Sequence, residues 1–162
     1  MENNLKKFEE IKQNAEKEYK LIESVLCPFL NRKISFNAKG LDHIKFKEWN
    51  KTRPVSDQYL RLKFLKFAPR VLKKTTTLQE YNEKNNFERI ARNSRWTQVM
   101  TPVKYYGFIA IIDYKIRIRI VVKEIEGGQP FFWSIMPYWR TKNNPITEET
   151  KKVFHEGDLE KE

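Results

Sequence analysis

The chain has 162 residues, with 32 Lys+Arg against 21 Asp+Glu, a formal net charge of +11, and 40% hydrophobic and 14% aromatic residues. That length suits one domain with a real core, and the apolar content excludes a disordered chain. Five Gly and seven Pro exclude collagen-like and Pro/Gly-rich classes, and a single cysteine, Cys27, excludes an intrachain disulfide and a Cys-based zinc site.

In chain order, residues 4–26 predict a helix. Leu5, Phe8, Ala15, Tyr19, Ile22 and Leu26 recur at helical steps between Glu and Lys, and Pro28 ends the pattern. Acids lie among the lysines of residues 1–13 and no apolar run follows, so no secretory signal is expected there. Residues 33–36 read as a short extended segment, and Asn37 as a cap for a helical turn through Gly40–Ile44. Pro54 suits the first position of a helix over residues 56–67, with Leu60, Phe64 and Phe67 inward. Pro69 splits off a shorter helix to about residue 74. Residues 78–84 are ambiguous, with one more helical turn as the available assignment.

From residue 86 the pattern changes to strands: short ones over 87–91 and 95–99, a central one over 103–113, and a clearly alternating one over 116–125. A turn at Glu126-Gly127-Gly128-Gln129 leads to a last strand over 131–138. Its alternation puts Phe132, Ser134 and Met136 on one face and Trp133 and Ile135 on the other. The expected class is α+β, with N-terminal helices packed on one face of a C-terminal antiparallel sheet of about four strands. The longest apolar stretch, 105–112, is too short for a membrane span, so a cytoplasmic protein without membrane contact is expected.

Charge is unevenly placed. Residues 27–140 hold 23 Lys+Arg and nine acids, while residues 1–26 and 141–162 each carry a small negative balance. The expected organisation is a helix over 1–26, a basic domain over 27–140 and a polar tail over 141–162. A basic domain concentrates polyanions, with nucleic acid the natural partner. No phosphate-binding Gly-rich loop, dinucleotide fingerprint or nucleophile elbow is present. Asp113 and Glu124 could meet across a hairpin as a metal-dependent nuclease needs, but no Lys follows Glu124 at a two-residue step and hairpin flanks often carry acids, which disfavours a metal nuclease.

His43, flanked by Lys45 and Lys47 and expected near the edge of its helical turn, is a candidate general base. Arg117 and Arg119 share one face of their strand and suit a phosphate clamp. Lys63, Lys66 and Arg70 fall near one helical stripe and suit backbone contacts. Trp49, Trp96, Trp133, Tyr138 and Trp139 interleave with basic residues and suit stacking on unpaired bases, although such aromatics are more often core.

Ile34-Ser35-Phe36, Gly40-Leu41-Asp42-His43-Ile44, the helix with Tyr59, Leu60 and Leu65, Ala68-Pro69, and Phe132-Trp133-Ser134-Ile135-Met136-Pro137 together resemble the barnase–EndoU–colicin–RelE-like nuclease superfamily. The resemblance covers about residues 30–140. It implies helices on a four-stranded antiparallel sheet, metal-independent RNA cleavage, and a toxin opposed by an acidic antitoxin or immunity protein. His43 would match the helix histidine, Ser134 the small polar residue of the last strand, and Arg117 and Arg119 the basic sheet positions. No second core histidine is available as the acid, so a Lys, Arg or Tyr would serve.

The function expected on that resemblance is a metal-independent endoribonuclease with no cofactor. His43 would take the 2′-hydroxyl proton, Arg61, Arg117 and Arg119 would stabilise the phosphate, and Ser134 would orient a phosphate oxygen. Lys45, Lys47, Trp49, Arg53, Lys63, Lys66, Arg70 and Tyr138 would contact the RNA. Two other functions fit the same residues: a non-catalytic nucleic-acid-binding module, and a basic interaction domain for an acidic protein.

Overall fold

The computed structural model describes residues 2–48, 51–137 and 159–161. Helix α1 spans Glu2–Ile22, and Glu23, at φ 59°, stops it in a left-handed conformation. The helix therefore ends four residues before the sequence periodicity suggests. Ser24–Cys27 form strand β1 instead, with Val25 and Cys27 inward, and pair antiparallel with β2, Arg32–Ser35. Asn37 caps α2, Ala38–Lys45, by accepting a hydrogen bond from the Gly40 N–H at 3.1 Å. A small ribbon follows, β3 at Phe46–Glu48 and β4 at Lys51–Thr52. Helix α3, Val55–Phe64, continues through a 3-10 turn into α4, Ala68–Leu72, where Pro69 sits in the first turn.

The second half is a meander: β5 at Glu80–Arg92, β6 at Arg95–Ile112, β7 at Ile116–Ile125 and β8 at Phe131–Pro137. The sheet order is β1-β2-β8-β7-β6-β5. Six strands are present rather than about four. The sheet is also mixed, because β2 runs parallel to β8 at Ser35↔Phe131. Residues 80–84 are strand, not a helical turn. Their side chains are mostly polar and carry no apolar alternation, but thirteen residues of β5 pair continuously with β6. The two short strands expected at 87–91 and 95–99 are the far end of that same hairpin. It closes on Asn93-Ser94 with φ 48° and 62°, a turn whose twist matches the strands.

The main core lies between the helices and one face of the sheet. Phe108, Ile118, Ile120, Phe132 and Ile135 meet Tyr19, Leu41, Ile44, Leu62 and Leu65 there. The opposite face carries a smaller cluster of Val103, Tyr105, Val121 and Leu159. The β5–β6 hairpin outruns β7, which pairs only with residues 103–112 of β6. That extension bends over the second face. Lys123 pairs with Tyr105, itself opposite Asn82, and yet it reaches Glu88, six residues further along β5. Among the described residues, no helix is long and apolar enough to cross a membrane.

Candidate functional site

The site forms where α2 and α3 lie against β8. Close approach of α2 depends on Gly40, because a Cβ there would run into the Phe132 carbonyl and come within 2.8 Å of the Tyr19 hydroxyl. That hydroxyl donates to the Asn37 carbonyl at 2.7 Å. One turn on, His43 is buried rather than at the edge, and its ring stacks on Trp133 at 3.9 Å and 17°.

Arg53 closes the other side of His43. Its Nε donates to the His43 carbonyl at 2.9 Å, and one Nη lies 3.1 Å from His43 Nε2. A guanidinium only donates, so Nε2 accepts, and the neutral ring carries its proton on Nδ1. Asp57, in the first turn of α3, accepts from Arg53 at 3.2 Å and from Arg61 Nε at 2.9 Å. Its negative charge also suits the helix N-terminus. Arg61 donates onward to Ser134 Oγ at 2.5 Å, and Gln58 bonds the Arg53 carbonyl at 2.8 Å. His43, Arg53, Arg61 and Ser134 are all buried. One polar chain thus joins His43, Arg53, Asp57, Arg61 and Ser134.

Strand β8 is not a plain alternation. Its register shifts between Val121↔Ser134 and Val122↔Phe132, so Trp133 is an extra residue in a bulge. Phe132 and Ile135 therefore share the helix-side core instead of opposing each other, and Trp133 turns to the second face. There Lys123 Nζ lies 4.2 Å over the indole. His43 already fills one face of that ring, so the ammonium occupies the other. Lys123 is buried and paired with Glu88 at 2.7 Å. Burial pushes its pKa below the ordinary lysine value, and Glu88 opposes that shift. Trp133 Nε1 donates to the Glu160 carbonyl at 3.0 Å.

The structure brings together four of the residues singled out in sequence: His43, Arg53, Arg61 and Ser134. Arg119 shares a sheet face with Ser134, being opposite Met136 while Ser134 is opposite Val121. It is buried and bound to Glu80 at 2.7 Å. Arg117 is two residues further along, half-buried. Lys45 ties α2 to Glu16 of α1 at 3.3 Å, and Lys47 is exposed on β3. Lys63, two positions after Arg61, sits about 200° around α3 from it and therefore points to another side of the helix. Lys66 and Arg70 both pack over Phe67, at 5.2 and 5.3 Å. Trp49 and Tyr138, like Trp139, lie outside the described residues. Asp113 and Glu124 do not meet. Asp113 is in the β6–β7 turn, while Glu124, at the other end of β7, binds Arg32 at 2.5 Å and Tyr106 at 2.7 Å.

Asp57, Lys123 and Glu88 were not singled out by sequence reasoning, and Trp133 was named only as a ring that could stack on bases or belong to the core. Asp57 had a usable signal, since Arg53, Asp57 and Arg61 stand at successive four-residue steps. Lys123 and Glu88 had none, because their meeting depends on the bend of the long hairpin. Among the described residues, no three His, Cys, Asp or Glu side chains gather as a metal ion would require. Compared with known proteins, the chain matches no family model, no curated protein and no solved structure.

Proposed function

We propose that the chain is a metal-independent endoribonuclease whose reacting centre is the His43–Arg53–Asp57–Arg61–Ser134 chain. The supporting observation is the convergence of a lone histidine, two arginines and a serine, 91 residues apart in sequence at their extremes, in one buried polar cluster within a strongly basic segment. Nε2 of His43 already points its lone pair at a donor. Bound RNA exchanges the Arg53 contact for the ribose 2′-hydroxyl, and His43 takes that proton. The 2′-oxygen attacks the adjacent phosphorus, and the bond to the 5′-oxygen breaks. The products are a 2′,3′-cyclic phosphate and a 5′-hydroxyl, protonated from solvent. Arg53 and Arg61 offset the charge that develops on the phosphate, and Ser134 orients one of its oxygens.

Purified protein incubated with total RNA should give cyclic-phosphate and 5′-hydroxyl ends equally with and without EDTA, and should spare an all-deoxy strand. Loss of cleavage in EDTA, or cutting of the deoxy strand, would sink the proposal. A second function is favoured by one observation: both guanidinium groups already bond Asp57, and His43 is sealed between Arg53 and Trp133. A chain so satisfied also suits a non-catalytic nucleic-acid-binding module. That alternative requires salt-dependent RNA binding with no products under any condition.

A further inference from the structure

The far end of the β5–β6 hairpin presents an outward face that the fold does not use. Its inward positions, including Glu88 and Ile90, are half-buried against the second face, and the alternate positions point away. There Phe87 and Met100 stand opposite each other, 67% and 52% exposed, and Trp96 is 61% exposed. The Arg89 guanidinium lies 5.5 Å over the Trp96 ring. At the tip, Arg92 and Arg95 are direct cross-strand partners, both exposed; by alternation they lie on the Ile90 side, past the end of the half-buried stretch, while Arg89 shares the outer face with Trp96. Like charges placed opposite each other across a hairpin destabilise it.

Residues 89–95 hold three arginines and no acid. The nearest carboxylate, Glu88, is turned inward to Lys123. The tip thus combines unburied aromatic rings with guanidinium groups that repel one another. An apolar protein surface would cover the rings and worsen the position of the guanidinium groups. A strand with unpaired bases satisfies both features, since bases stack on Trp96 and Phe87 while phosphates sit between arginines. We infer that the tip of the β5–β6 hairpin, with exposed rings and Arg89 on its outer face and Arg92 and Arg95 at its end, is a binding platform for single-stranded nucleic acid, separate from the His43 cluster. This platform does not depend on RNA being cut.

The test is fluorescence anisotropy of the full chain with a labelled single-stranded RNA, the DNA strand of the same sequence, and the corresponding duplex. The DNA strand has no 2′-hydroxyl, so its binding is read independently of any cleavage. The wild-type chain should bind both single strands more tightly than the duplex. Trp96→Ala should weaken both about tenfold. The double variant Arg92→Gln/Arg95→Gln should lower the slope of log affinity against log salt by about 1.4. Trp96→Ala should melt as the wild type does, because its side chain is exposed, and the arginine double variant should melt no lower than the wild type, because it removes a like-charge pair. A preference for RNA over DNA would assign the platform to RNA. Equal binding would assign it to single strands of either sugar.

The proposal is overturned if the wild type binds neither strand or prefers the duplex, if both variants keep wild-type affinity, or if sedimentation shows two copies joined through this face. Absence of cleavage with binding through the hairpin tip intact would refute only the nuclease proposal.

Discussion

The two faces of the sheet are built on opposite principles. The helix-side face is filled by Phe108, Ile118, Ile120, Phe132 and Ile135, and its stability comes from removing apolar surface from water. The second face places Lys123, Glu88, Arg119 and Glu80 among a few rings, so charges are held there by pairing. One strand serves both. The bulge at Trp133 lets β8 give Phe132 and Ile135 to the first face while its indole separates His43 from Lys123 on the second. Mutations should therefore divide into those that cost stability and those that cost chemistry.

The largest stability effect should follow Phe132→Ala. Phe132 is fully buried, stacked on Phe36 at 5.3 Å and edge-on to Tyr19 at 5.9 Å. Its truncation should cost about 3–5 kcal/mol in urea unfolding. A loss below about 1 kcal/mol would mean that the helix-side core is not the main source of stability. His43→Ala should lower the initial rate of RNA cleavage on the order of a hundredfold or more. Unchanged rates would move the chemistry elsewhere.

Asp57→Asn should cost about 2 kcal/mol in the same unfolding measurement. That is less than the loss of a fully buried partner, because the Asp57 side chain is 24% exposed. No loss would show that Arg53 and Arg61 do not need the carboxylate.

A subtler effect concerns pH. Burial lowers the folded-state pKa of Lys123 below its ordinary 10.5. Between that lowered value and 10.5 the unfolded chain binds more protons, so this lysine makes stability rise with pH. Tyr19 and Tyr106 act oppositely above about pH 10. Burial raises both, and Glu124 adds to the rise at Tyr106, so they oppose unfolding less as pH climbs. The comparison of Lys123→Met with the wild type isolates the lysine. The variant's melting temperature should rise less, or fall more, between neutral pH and 10.5. Parallel curves would show that Glu88 fully offsets the burial. The smallest stability effect should be that of Trp96→Ala, within about 0.5 kcal/mol.

Legibility in the sequence followed the strength of local patterns. Ile116, Ile118 and Ile120 alternating with Arg117 and Arg119 specify β7 without help, and the Asn37 cap marks the start of α2. The first half of strand β5 was opaque because Glu80, Asn82, Lys84 and Asn86 carry no apolar alternation, whereas its far end was expected as a strand over 87–91. Those four residues are held by pairing with the β6 backbone and by polar contacts of half-buried side chains, such as Glu80 with Arg119. Strand β1 was read as the end of α1 because Leu26 falls at a helical step. The decisive residue, Glu23, adopts a left-handed conformation that its type does not announce. At the site, His43, Arg61 and Ser134 were identifiable by residue type and neighbourhood. Their connection through Asp57 and the placement of Trp133 depend on a bulge, whose register cannot be read from one strand.

The parallel contact between β2 and β8 sets a timetable for synthesis. Ser35 pairs with Phe131, so the β1–β2 hairpin cannot join the sheet until nearly a hundred further residues have been translated. At roughly 5–20 residues per second that interval lasts about 5–20 seconds. Until β6 and β7 have been made, the apolar sides of α1, α2 and α3 have no sheet to cover, and the strand that joins both halves, β8, comes last. The nascent chain should depend on ribosome-associated chaperones more than a helical domain of its size, and slower translation should lengthen that dependence.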